Sequence, residues 1–193
     1  MTVLDRDFYS RSPVAVAREL VGKTLVRTLA GGERLKGIIV ETEAYGGAKD
    51  PASHAYRGIS NRNAVMFGIA GHAYVYFTYG FHHCLNFVTG KEGEASAVLL
   101  RAIEPTSGFE TMSDLRKKTL LKDLTSGPGK LCQALAIDRR LNGIDITSPE
   151  SEIHVLAEGA TFQIATSSRI GIRNAKERKW RFFAEDNVFV SKR

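Results

Sequence analysis

The sequence predicts an α+β fold: one domain over residues 1–193 with a curved, mainly antiparallel sheet and flanking helices. Three observations carry that expectation. Strand-like stretches follow one another with short turns between them, not helices, which favours antiparallel pairing. Helical patterning is confined to a few short segments near the N-terminus and around residues 109–137. No repeat, low-complexity tract or Gly/Ser- or Pro-rich linker divides the 193 residues, a length that buries a substantial core without staples.

The elements follow in order. "SRSPVAVARELVGK" reads as a helix, with Ser12 as N-cap, Pro13 in the first turn and Gly22 at the exit. "KTLVRTLAGGERLKGIIVETEAY" reads as two strands around a Gly31-Gly32 turn. Residues 46–71 are rich in Gly, Ser, Asn and Pro and read as a long ordered loop of the kind that carries function. "HAYVYFTYGFHHCLNFVTG" reads as a hairpin with its tip near Tyr79-Gly80, and "SAVLLRAIEP" as a strand stopped by Pro105. A helix is expected over 109–118 and another after "TSGPGK" through "LCQALAI". Short strands are expected within 153–166 and 187–191.

Composition narrows the function classes. A 43% hydrophobic and 25% charged chain is an ordinary globular one, with no apolar run able to span a bilayer and no signal-peptide layout in "MTVLDRDFYS". Cys84 and Cys132 are too few for a disulfide framework and suit a reducing compartment, the cytoplasm or nucleoid. No coiled-coil or other assembly signal is present, so a monomer is expected. The net charge of +6 suggests a polyanionic partner. It concentrates in "RIGIRNAKERKWR" (residues 169–181) and in Arg116, Lys117 and Lys118 followed by Lys122 and Lys130. Solvated helix surface explains either run about as well as a phosphate-tracking patch does.

"KGIIVETEAYGG" (36–47) places acids inside an otherwise apolar strand. At two residues per period, Ile39, Glu41, Glu43 and Tyr45 share one face, while Ile38, Val40, Thr42 and Ala44 make the other, core face. On the strand alone, solvated glutamates on a wet sheet face remain the simplest account.

Other segments change that balance. "IVETEAY", "DPASHAYRG", "YVYFTYG" with "LNF" after it, "AVLLRAIEP", "SGPGKLCQAL" and "RIGI" occur in order, and together they resemble the alkyladenine DNA glycosylase family (mammalian-type 3-methyladenine DNA glycosylases) from about residue 4 to 190. The resemblance implies an enzyme that flips a damaged purine out of duplex DNA and hydrolyses its N-glycosidic bond. The transition state of such a cleavage has oxocarbenium character. It implies that Glu43 is the general base for the attacking water, with Arg101 and the main-chain carbonyl of Ile170 helping to position that water. Glu41 is the competing candidate on spacing alone, with a supporting role on the sheet as its alternative.

The resemblance further implies that Tyr45 and Tyr76 sandwich the flipped base and that His54 contributes, including through its backbone. Electron-rich tyrosine faces would favour cationic lesions. Asn86 would discriminate against the 2-amino group of normal guanine. Tyr79, at the hairpin tip, would be the wedge that fills the vacated stack. "HHC" at 82–84 departs from the aromatic residues expected there.

No cofactor is implied. His82, His83 and Cys84 have no second cluster at zinc-ligand spacing, so no metal is expected. "TSGPGKLCQAL" lacks the spacer and Lys-Ser/Thr pair of a P-loop. Ser126 there reads as a helix cap, with or without a phosphate before it. No nucleophilic lysine is implied, so the strand would be left uncut. Two other classes stay open: a non-catalytic duplex-binding module on the same scaffold, and a hydrolase of free nucleosides or sugars using Glu41 and Glu43. Same-face strand positions lie ~7 Å apart, which fits such a pair.

Overall fold

Alternating side chains over β2 (Arg34–Tyr45) and β5 (Ser96–Ser107) make two twelve-residue strands that pair with each other and form the spine of the fold. The computed structural model describes residues 2–78, 80 and 82–191. The other strands are β1 (Lys23–Thr28), β3 (Ala73–Thr78), β4 (His82–Thr89), β6 (Ile153–Gly159), β7 (Ile164–Ser167) and β8 (Arg181–Ala184). The eight form one sheet in the order β3-β4-β5-β2-β1-β6. β8 joins β2 at Glu41–Glu43, past the stretch paired with β1, and carries β7 on its other side. The ladders between these strands are all antiparallel, as consecutive strands predicted.

The helices are α1 (Arg6–Tyr9), α2 (Pro13–Leu20), α3 (Phe109–Arg116), α4 (Lys122–Thr125) and α5 (Pro128–Ala134). Ser12 caps α2 as expected, its hydroxyl accepting from the Ala15 N–H. Ser126 does not cap α5. The N-cap is Gly127, while Ser126 bridges to Ala102 and accepts from the Lys130 ammonium. Two further expectations fail. β5 runs through Pro105 to Ser107, because Pro105 stands opposite Gly37 where the register slips, and the slip tolerates a missing donor. Residues 187–191 form no strand; Phe189 is buried in the core instead, and the last strand lies earlier, over 181–184.

Period-2 alternation gives the sheet two distinct faces. Ala73 and Val75, Leu85 and Phe87, Val98, Leu100 and Ala102, and Val40 and Ala44 point into the main core beneath α2 and α5. Tyr74 and Tyr76, Cys84 and Asn86, Ala97, Leu99 and Arg101, and Tyr45 line a cavity on the opposite face.

The assignment of Ile39 needs correction. It is fully buried in the core, alongside Val40, and does not share the glutamates' face. Ile39 pairs with Ile103 and Glu41 with Ala102, so Val40 has no partner; Thr42 then pairs with Leu100, so Arg101 has none. This double bulge switches the core face of β2 from odd to even residues and aims Arg101 at the glutamates.

Candidate active site

From Ile39 to Ala44 the strand that carries Glu41, Glu43 and Tyr45 has no wet face. Both glutamates are 0% exposed, which rules out the solvated reading of the motif. A buried carboxylate persists only where donors and opposite charge replace its water, and each is supplied with both.

Glu41 accepts from Arg101 Nε at 2.8 Å, Arg181 Nε at 2.7 Å, the Ser191 N–H at 2.7 Å and the Ser191 hydroxyl at 3.0 Å. Burial pushes its carboxyl up, but the two arginines and the Ser191 N–H outweigh that, and it ionises below the usual glutamate value. Glu43 accepts from the Ile170 N–H at 2.7 Å on Oε1 and from the Tyr45 hydroxyl at 2.8 Å on Oε2, with Arg101 Nη1 3.3 Å from Oε1. Ile170 therefore does meet the candidate base, but through its amide N–H. Arg101 binds both acids, and the carboxylates raise its basicity against the opposing effect of burial.

A second ion pair locks the site from behind. Asp50 and Arg169, both with 0% exposed side chains, meet in bidentate fashion, Nη2 lying 2.8 Å from Oδ1 and Nη1 on Oδ2. Arg169 Nη1 also donates to the Ala44 carbonyl at 2.9 Å. Burial raises the Asp50 carboxyl, but hydrogen bonds from Arg169 and from the Gly46 N–H bring it below the usual aspartate value. The Arg169 guanidinium stands 4.7 Å from the Tyr45 ring centre and 5.3 Å from that of Trp180, and Arg178 covers Trp180 at 4.7 Å. Tyr45, Arg169, Trp180 and Arg178 thus stack in sequence from the cavity wall outward. The chain leaves β2 for Asp50 through Gly47 at φ +64°, where a Cβ would lie 2.0 Å from the Glu94 carbonyl oxygen; only glycine fits.

The cavity measures about 230 Å³ and is walled by Tyr45, His54, Tyr74, Tyr76 and Asn86, with Arg101 and Ile170 toward Glu43. His54 Nδ1 lies 3.1 Å from the Tyr74 hydroxyl, and its ring meets Tyr76 edge-on at 4.6 Å. Burial, assisted by the Arg62 charge, lowers the basicity of His54, so its ring is neutral near pH 7. Its backbone carbonyl accepts from the Asn63 amide at 3.0 Å, and its side chain lines the cavity. Burial raises the Tyr74 phenol to about 12. Asn86 commits its NH₂ to the carbonyls of Tyr74 at 3.0 Å and Cys84 at 3.5 Å, so its amide oxygen is the group left for a ligand.

Of the expected site residues, Glu43, Arg101, Ile170, Tyr45, His54, Tyr76 and Asn86 therefore converge. Tyr79, the expected wedge, lies outside the described residues. Tyr74, Asp50, Trp180 and Ser191 were missed, and Arg169 was read only as part of the basic run. The "YVY" alternation could have found Tyr74; the others join segments far apart in sequence and left no local signal.

A paired carboxylate and guanidinium at the end of an aromatic-walled cavity is an arrangement that suits a hydrolase acting beside a flat ring. The particular family follows from comparison with known proteins. The sequence model of the family described as methylpurine-DNA glycosylase (MPG) matches residues 7–188. A relative from Methanocella arvoryzae, named "Putative 3-methyladenine DNA glycosylase", is 51% identical over 100% of this chain and 98% of its own length. Relatives of the same name from Carboxydothermus hydrogenoformans (48%; 99% of this chain, 100% of the relative) and Clostridium perfringens (47%; 98% and 99%) are also similar. The chain belongs to the methylpurine-DNA glycosylase family and is a DNA glycosylase, an enzyme of DNA repair. No helix among the described residues is long and apolar enough to cross a membrane.

Proposed function

We propose that the protein excises alkylated or deaminated purines (3-methyladenine, 7-methylguanine, hypoxanthine, ethenoadenine) from duplex DNA. The nucleotide flips into the cavity and the base lies among Tyr45, Tyr76 and His54. Glu43, held by Arg101 and Ile170, takes a proton from water as the water oxygen bonds to the anomeric carbon and the N-glycosidic bond breaks. The bonding pair leaves with the base, and an abasic site remains. No lysine is among the described residues lining the cavity, so water rather than an amine is the nucleophile and the strand stays intact. A cavity of about 230 Å³ suits a single base and is small for an oligosaccharide.

The observation that carries this reading is the placement of Glu43, whose hydrogen-bond partners Tyr45 and Ile170 and ionic partner Arg101 all line the aromatic cavity. A guanidinium also stands over each tyrosine: Arg169 over Tyr45, and Arg62 at 5.2 Å over Tyr76. These rings already hold cations, which weakens the advantage a cationic lesion would gain over a neutral one. The test is single-turnover base release from duplexes carrying hypoxanthine or 7-methylguanine, by the wild type and Glu43→Gln. Loss of the general base should cost ~10²–10⁴-fold in release while duplex binding persists. Release that survives in Glu43→Gln removes Glu43 from the mechanism. Tight binding without release by the wild type points to a non-catalytic binding module.

A further inference from the structure

We propose that the Tyr45 hydroxyl latches Glu43 shut in the free protein, and that a base stacking on the Tyr45 ring releases it. The proposal rests on the glycosylase reading above. Its starting point is an apparent conflict: Glu43 must meet a water molecule, yet it is 0% exposed and is not among the residues that line the cavity. Its screen consists of Tyr45, Arg101 and Ile170, each of which does line the cavity.

Two parts of that screen are fixed. Arg101 is pinned through Nε to Glu41 and through Nη2 to the Ser191 hydroxyl at 3.3 Å. Ile170 offers a backbone N–H, and the preceding residue, Arg169, is clamped to Asp50. Tyr45 is the movable part. It holds Glu43 through a single neutral donor at 2.8 Å. Burial first, and then the Glu43 charge, push the phenol well above its ordinary value, so it stays protonated and stays a donor. Arg169 stands over one face of the Tyr45 ring without lining the cavity, so the cavity meets the ring elsewhere. A stack of ring on guanidinium has no directional bond holding it in register, and the ring can slide while keeping the contact.

A base that stacks on Tyr45 would thus draw the hydroxyl off Oε2 and open that oxygen to water. Recognition and activation become one event, as in induced-fit selection. A base that enters but stacks poorly leaves Glu43 covered. The bond lost is one to a charged acceptor, ordinarily a factor of ~10 or more in an equilibrium. Discrimination against undamaged purines should gain by about that factor.

The test is Tyr45→Phe, which keeps the ring and removes the latch. Single-turnover release is measured for hypoxanthine and for undamaged guanine in duplex DNA, and ethenoadenine fluorescence reports the flipped, stacked state. The ratio of guanine to hypoxanthine release should rise about tenfold over that of the wild type, and flipping of ethenoadenine should become more favourable. The added guanine release should vanish in Tyr45→Phe combined with Glu43→Gln. A parallel fall of both rates with discrimination unchanged overturns the latch and makes the hydroxyl a plain buttress for Glu43. Unchanged discrimination with unchanged rates overturns it as well. Failure of the glycosylase reading is separate and visible first: the wild type would then release no base from either lesion.

Discussion

Glu41 and Glu43 share one guanidinium, with Arg101 Nε 2.8 Å from Glu41 and Nη1 3.3 Å from Glu43. Glu41 therefore fixes the group that faces the candidate base, without lining the cavity itself. This is a different arrangement from a pair of carboxylates flanking a scissile bond, since a cation sits between the acids and Glu41 is spent on four donor contacts. It weighs against the hydrolase of free sugars or nucleosides.

Glu41→Gln should destabilise the protein by about 3–5 kcal/mol near neutral pH, because Arg101 and Arg181 would be left buried with less opposing charge. The pH dependence has a definite sign. The folded-state value of Glu41 lies below the ordinary 4.5, so its stabilisation is fully present above 4.5 and is lost as pH falls through the folded value. Urea unfolding of the wild type should weaken on acidification below that point. Glu41→Gln should show a flatter acid limb, and equal acid slopes in the two proteins would refute this account of the buried cluster.

The Asp50–Arg169 pair separates stability from positioning. Asp50→Asn leaves a buried guanidinium without its counter-ion and should cost about 3–5 kcal/mol. Replacing the pair together, Asp50→Leu with Arg169→Met, removes both buried charges and should recover much of that stability. It should not recover base release, because Tyr45 loses the plane behind its ring and Ile170 loses its anchor. Denaturant unfolding and single-turnover release, measured on the same variants, decide the matter. If release returns along with stability, the pair is structural only.

These two clusters show what the sequence could and could not disclose. Period-2 alternation was enough to put Glu41, Glu43 and Tyr45 on one face, and Tyr76, Asn86 and Arg101 came together because each sits on the same side of its own strand. The double bulge at Val40 and Arg101 was invisible, because a register slip depends on two strands at once and the apolar run Ile38-Ile39-Val40 hides the change of face. Burial was misjudged for the same reason. A glutamate on a strand reads as solvated until its counter-ions are found, and those lie 60 residues away at Arg101 and 140 away at Arg181. The basic run 169–181 reversed its meaning: Arg169 and Arg181 point inward to Asp50 and Glu41, and Arg178 lies on Trp180 with its guanidinium 3.7 Å from Asp50.

That reversal yields a prediction for DNA binding. Within the run, Arg173, Lys176 and Lys179 remain exposed, and Arg173 adjoins Ile172 at the cavity wall. If this segment tracks the phosphate backbone near the flipped nucleotide, each contact contributes ~0.9 to the slope of log K against log salt. Replacing Arg173, Lys176 and Lys179 with Gln together should lower the slope for duplex binding by ~2–3 and weaken binding most at low salt. Arg178→Gln should behave oppositely. It removes a partner of Trp180 and Asp50, so thermal stability should fall while the slope stays near that of the wild type. Exchanged outcomes, with the slope following Arg178 and not the exposed trio, would mean that the stack opens on DNA binding and delivers its outer guanidinium to a phosphate. Neither set altering the slope would move the phosphate track to Lys117, Lys118 and Lys122, the other exposed cations read from the sequence.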